Sequence, residues 1–193
     1  MRLLPALLVA FRFVCGPLLF IDARDGEIGS WFALVFVSAL LSDVFDGVIA
    51  RRLGVATEKL RVADSWTDGW FCLWIFACLW MARRDTLLDF APLLTLSFAL
   101  DWLGLLAAFV KYRRVPAYHS YLTKAAGAML FFAVMLLIFN HRVLVVPALC
   151  VAIAAHIERL LITLLLPRWT HDVSTVFKAW QLKNQEHNHG FLG

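Results

Sequence analysis

Asp43 and Asp46 stand three residues apart, and Gly47, Ala50 and Arg51 follow at four, seven and eight residues from Asp43. In a helix these five positions share one face. Asp64 and Asp68 are four apart and again share a face. All four acids lie in or beside apolar runs, where a carboxylate is costly and marks function. Asp101 and Glu158 extend the set to six of the 14 acids. The stretch between the two Asp pairs is short, so their helices are expected to be antiparallel neighbours with facing acidic faces. Four converging carboxylates cannot all stay ionised without compensation. One remedy is protonation, as in a proton pathway; the other is divalent cations. Oxygen-only ligands favour Mg²⁺ or Mn²⁺ over zinc. Two such ions facing a basic residue suit displacement at phosphorus. The plainer alternative is a set of helix-end acids paired with Arg51, Arg52 and Arg61.

The elements that must position these acids are membrane spans. Of 193 residues, 62% are hydrophobic and 17% charged, against about 45–50% and about 25% in soluble domains. That balance excludes disorder, collagen and a secreted disulfide scaffold. Six apolar runs, near residues 3–21, 31–50, 64–82, 90–110, 121–139 and 143–166, each approach the roughly 20 residues a hydrocarbon core needs. The expected fold class is an all-α integral membrane protein with six transmembrane helices. Residues 1–166 form the membrane domain and 167–193 a cytoplasmic tail. The start resembles a signal peptide briefly, but Arg12 interrupts its apolar run and no small-x-small site follows. It is read as a retained first span.

The net charge of +4 does not point to nucleic acid, because the basic residues sit in connections between apolar runs. Twelve of the 18 Lys and Arg fall on the side of both termini; only Arg24, Arg83, Arg84 and Arg142 fall opposite. That bias puts both termini in the cytoplasm and the acidic cluster at the cytoplasmic membrane interface. Cys15, Cys72, Cys78 and Cys150 show no CxxC spacing and read as small buried hydrophobes. In the tail, Val173, Val176, Phe177 and Trp180 recur at helical spacing behind Asp172 as an N-cap. This is the pattern of a short helix lying in the membrane interface, or of a frayed terminus. His171, His187 and His189 lack ligand spacing and read as solvated.

The order Asp43-x-x-Asp46-Gly47-x-x-Ala50-Arg51, then Asp64-x-x-x-Asp68, resembles the signature of the CDP-alcohol phosphotransferases (CDP-alcohol phosphatidyltransferases). Pro5-Ala-Leu-Leu, Phe11-Arg12 and Pro17 are similar to the opening motif of bacterial phosphatidyltransferases. Two positions depart: Leu60 stands where the signature has its second glycine, and Ala6 where the opening has asparagine. The resemblance implies a six-helix enzyme of the bacterial inner membrane, usually a homodimer. Asp43, Asp46, Asp64 and Asp68 would hold two divalent cations, Mg²⁺ or Mn²⁺. Gly47, Ala50, Arg51 and Thr57 would line the site of the CDP moiety. Asp68 would be the catalytic base that takes a proton from a small alcohol acceptor. CDP-diacylglycerol would donate the phosphatidyl group, its acyl chains remaining in membrane lipid, and CMP would leave.

The acceptor pocket directs attention to Arg113, Arg114, Lys124 and Arg159, a set suited to an anionic alcohol such as glycerol 3-phosphate or an inositol phosphate. Arg159 lies inside a span, where Glu158, Asp101 or a phosphorylated ligand could pair with it. Ser120–Gly127 lacks the S-x-x-G-K-x-x-T-like stretch of a glycerol-phosphate enzyme. His119 reads as solvated or an acceptor contact, and His156 as an interhelical hydrogen-bonding residue. Rival classes are a transporter or ion-coupled carrier using the acids, an intramembrane prenyltransferase, a structural scaffold, and a degenerate family member with an altered donor.

Overall fold

The computed structural model describes residues 4–53, 57–113, 118, 120–170 and 173–190, and no strand occurs among them. Eight α-helices run in order: α1 Leu4–Asp22, α2 Ser30–Arg52, α3 Glu58–Ala82, α4 Arg84–Asp89, α5 Ala91–Tyr112, α6 Tyr121–Ile138, α7 Val145–Leu165 and α8 Val176–Gly190. A 3-10 turn, Ala23–Asp25, follows α1. Six of these helices match the six apolar runs. Among the described residues, five are long and apolar enough to cross a membrane: α1, α2, α5, α6 and α7. Helix α3 is not among the five, and Lys59, Arg61, Asp64 and Asp68 fall in its first three turns. It also begins at Glu58, six residues before the expected start at Asp64, because Thr57 caps it: Leu60 N donates to Thr57 Oγ1 at 3.2 Å. The short α4 occupies a stretch that the charges of Arg83, Arg84 and Asp85 suggest is a plain connection.

Residues divide into two compact units, 1–87 with 138–140, and 88–137 with 141–193. In the first, α1 packs against both α2 and α3. Its buried side runs Pro5, Val9, Arg12, Cys15, Gly16, Leu19, the three-and-four spacing of one helix face. Phe13 stacks on Trp70 at 5.2 Å, and Phe20 lies 4.9 Å from Trp74. Chain positions rise together along α1 and α3, so the two helices are parallel. Phe36 meets Phe71 while Asp46 and Asp64 share a partner ten and seven residues on in opposite senses, so α2 is antiparallel to α3. Gly16 lets α1 lie close against Trp74. A Cβ there would come within 2.6 Å of Trp74 Cδ1.

In the second unit α5 packs along α7, and α8 packs against α7. Lys111 Nζ donates to the carbonyls of Thr163 and Leu164 at 2.9 and 2.8 Å, and Tyr112 OH to those of Thr163 and Leu166 at 2.7 and 2.6 Å. These bonds reach two of the last carbonyls of α7, those of Thr163 and Leu164, and that of its C-cap Leu166, groups that a helix leaves without partners of its own. They also join the C-terminal ends of α5 and α7, so these two helices are parallel. Ser120 caps α6 through Thr123 N at 3.1 Å. Helix α8 starts at Val176, where Thr175 Oγ1 accepts from Lys178 N at 3.2 Å; the expected cap, Asp172, lies outside the described residues. Val173 precedes the helix and is buried with Tyr118, Ile162, Leu166 and Ala179.

The outer faces are apolar. Leu7, Leu18, Leu34, Leu106, Val110 and Leu164 are all more than half exposed, which suits a hydrocarbon surrounding rather than water. Cys15 and Cys78 are buried as expected, but Cys72 and Cys150 are exposed on such faces.

Candidate active site

Arg12 is the ninth residue of α1 and only 2% exposed. A guanidinium at that place in an apolar helix needs anionic partners, and α2 and α3 supply them. Nη1 pairs with Asp43 and, at 2.7 Å, with Asp68. Nη2 pairs with Asp64 and, at 2.9 Å, with Asp46. Each terminal nitrogen therefore bridges one carboxylate of α2 and one of α3. The four acids singled out by spacing converge, and the residue at their centre is one that spacing within the acidic helices does not reveal. The signal for it was present: a lone arginine in an apolar run predicts a buried acid elsewhere in the chain.

The four carboxylates are not equivalent. Asp46 keeps 6% of its side chain exposed, Asp64 31%, Asp43 37% and Asp68 47%. Asp68 is thus the best placed to meet an incoming molecule, and Asp46 is shut against the helices. Oxygens of Asp43, Asp64 and Asp68 lie within 4.8 Å of one another. Among the described residues, one guanidinium offsets one charge and leaves three carboxylate charges unmatched; the side chains of Arg51 and Arg61 lie outside them. Among the described residues the donor set is all oxygen, partly exposed, and short of positive charge. These properties fit hard divalent cations of the Mg²⁺ and Mn²⁺ type.

The remaining expected site residues are placed as follows. Gly47 and Ala50 follow Asp46 on α2, half-buried and buried respectively. Arg51 is in the last turn of α2, and its side chain lies outside the described residues. Thr57 is the N-cap of α3, with its hydroxyl oxygen bonded to Leu60 N. Leu60 is half-buried in the first turn of that helix. Arg113 ends α5 in the left-handed region, φ 55°, and is exposed. Lys124, also exposed, lies 5.9 Å from the Tyr121 ring centroid. Arg114 and His119 lie outside the described residues.

Arg159 has a separate environment inside the second unit. Its Nη2 pairs with the Asp101 carboxylate and lies 3.3 Å from His156 Nδ1. His156 Nδ1 is also 3.3 Å from Asp101 Oδ1. Of the partners the sequence left open for Arg159, the structure shows Asp101 across the helix pair rather than adjacent Glu158, and His156 takes the interhelical role expected of it. Gly104 makes room: a Cβ there would stand 3.3 Å from Arg159 Nε.

No curated protein and no solved structure matches the chain. The family model described as CDP-alcohol phosphatidyltransferase matches residues 2–167.

Proposed function

The chain belongs to the CDP-alcohol phosphatidyltransferase family, and we propose that it transfers a phosphatidyl group from CDP-diacylglycerol to a small hydroxyl acceptor. The observation that carries this reading is the convergence of Asp43, Asp46, Asp64 and Asp68 around Arg12. When bound at Asp43, Asp46, Asp64 and Asp68, two divalent cations supply positive charge for a diphosphate. Asp68, the most exposed of the four, accepts the proton of the acceptor hydroxyl. That oxygen attacks the phosphorus bearing diacylglycerol, a new P–O bond forms, and the bond to CMP breaks. The departing CMP carries away the electron pair. Gly47, Ala50, Arg51 and Thr57 line the approach of the CDP moiety, where the glycine leaves room for a phosphate and Arg51 adds charge.

A small polyol phosphate such as glycerol 3-phosphate is the preferred acceptor class, drawn by Arg113, Arg114 and Lys124. Arg159 is bound to Asp101, so its share in that pocket requires exchange of a carboxylate for a phosphate. We place six helices across the bilayer, α3 included, because alternation in each unit returns successive helices to opposite faces. Both termini are then cytoplasmic, the site faces the cytoplasm of a bacterial inner membrane, and α8 lies in the interface with Phe177 and Trp180 outward. A homodimer is the expected assembly.

The test is CMP release from CDP-diacylglycerol by the purified protein in micelles, with Mg²⁺ or Mn²⁺ and a pool of acceptors. Release that needs metal, acceptor and Asp68 supports the transferase. An ion-coupled carrier would bind metal and release no CMP, and a member with an altered donor would turn over only another CDP-alcohol. Reaction of neutral alcohols but not their phosphates would remove the polyol-phosphate acceptor.

A further inference from the structure

Arg12 stands where the acidic cluster would meet a metal ion. Its two terminal nitrogens reach all four carboxylates, and three of those carboxylates are the ones whose oxygens converge within 4.8 Å. Oxygens bound side by side on an octahedral Mg²⁺ at about 2.1 Å lie about 3 Å apart. In the structure a planar guanidinium stands between the two acid pairs instead. A divalent cation drawing Asp43, Asp64 and Asp68 inward therefore competes with Arg12 for the same space and charge. The guanidinium has latitude to withdraw, because its buried Nε has no hydrogen-bond partner among the described residues and no bond to them is lost there when the head turns.

We propose that Arg12 is a resident counter-ion of the acidic cluster, displaced from Asp43, Asp64 and Asp68 when a divalent cation binds. In this role Arg12 is a positioning residue: it draws the acidic faces of α2 and α3 together and sets the threshold at which metal enters. The inference rests on the metal-dependent reading above. Two properties then oppose each other in one side chain. Arg12 favours assembly of the helices, and it weakens metal affinity.

Mn²⁺ binding to the full chain in detergent micelles, followed by the electron paramagnetic resonance of free Mn²⁺, separates the two. Arg12→Gln is expected to bind Mn²⁺ about tenfold tighter or more than the wild type, a change of one decade in Kd. Arg12→Lys, whose single ammonium reaches fewer of the four carboxylates, is expected between them and serves if Arg12→Gln does not fold. In chelator the melting temperature of either variant falls below that of the wild type, and saturating Mn²⁺ narrows the gap. Equal or weaker Mn²⁺ affinity in a folded variant overturns the exchange while leaving the metal site intact. No Mn²⁺ binding by wild type or variants overturns the metal reading and the exchange with it.

Discussion

Arg12 meets Asp68 at 2.7 Å, joining the middle of α1 to a carboxylate in the third turn of α3. The pair is embedded in a cluster that carries three more carboxylates on the same guanidinium. Among the described residues, the sharing of one guanidinium by four carboxylates, rather than any one ion pair, is therefore the dominant electrostatic fact of the site.

Asp68→Asn is expected to separate stability from chemistry. The amide removes one of the unmatched charges, so the variant in chelator should melt no lower than the wild type. Loss of the base should lower CMP release about 10²- to 10⁴-fold. A thermal melt and a CMP assay on the same preparation check both halves. A large fall in melting temperature would make Asp68 a structural partner of Arg12 instead.

Metal removal should act on the same unmatched charges. Chelation is expected to abolish CMP release, and Mg²⁺ or Mn²⁺ to restore it. Either ion should also raise the melting temperature of the wild type, since a ligand of the folded state stabilises it. The rise should shrink in Asp43→Asn and Asp64→Asn, whose carboxylates belong to the convergent trio.

Asp101 and Arg159 form an ion pair on the α5 and α7 faces. Asp101→Asn leaves the guanidinium poorly compensated and is expected to cost about 1–3 kcal/mol. The double variant Asp101→Leu with Arg159→Met should recover most of that loss, because apolar replacement of both partners removes the desolvation penalty. Chemical or thermal unfolding in micelles gives the comparison. Preserved acceptor KM in the double variant would place the pair outside the acceptor pocket.

Gly16→Ala puts a methyl 2.6 Å from Trp74 Cδ1. That ring is held by Trp70 and Phe20, so it has little room to yield, and overpacking of about 1–3 kcal/mol is expected. Gly69→Ala, whose added carbon would meet nothing within 4 Å, is the matched control and should be as stable as the wild type or more so.

Leu60→Gly tests the departure from the family signature. If the CDP moiety passes the first turn of α3, removing the isobutyl group should lower the donor KM several-fold. A loss of about 1 kcal/mol in stability should accompany it, from glycine inside a helix. An unchanged KM with the same stability loss would place Leu60 away from the donor.

Much of this architecture is legible in hydropathy, because a span announces itself by length and apolar content alone. Expected and observed limits agree closely for α5 and α6, where Pro92 and Ser120 mark the starts. They disagree for α3, whose amphipathic first turns are helical for a local reason, the Thr57 cap, that a search for apolar runs passes over. Helix α4, only six residues with Arg84, Asp85 and Asp89 among them, is too short and too charged for the same search to find. In the site, spacing along α2 and α3 correctly grouped the four acids, since residues three and four apart share a face. It could not name Arg12, because periodicity within one helix carries no information about which face of another helix turns toward it. The Asp101–Arg159 pair is an instance of the same limit, resolved only once α5 and α7 lie side by side.

The burial of Arg12 also bears on how the chain is made. An arginine at the centre of an apolar helix raises the free energy of insertion by about 2.5–3.5 kcal/mol, and its partners on α2 and α3 lie 31 to 56 residues later, from Asp43 to Asp68. During synthesis α1 must therefore wait, charged and incompletely accommodated, until α3 has emerged. The first three helices should enter the bilayer as a unit, and a nascent chain cut before Asp64 should hold α1 less firmly than one that includes it.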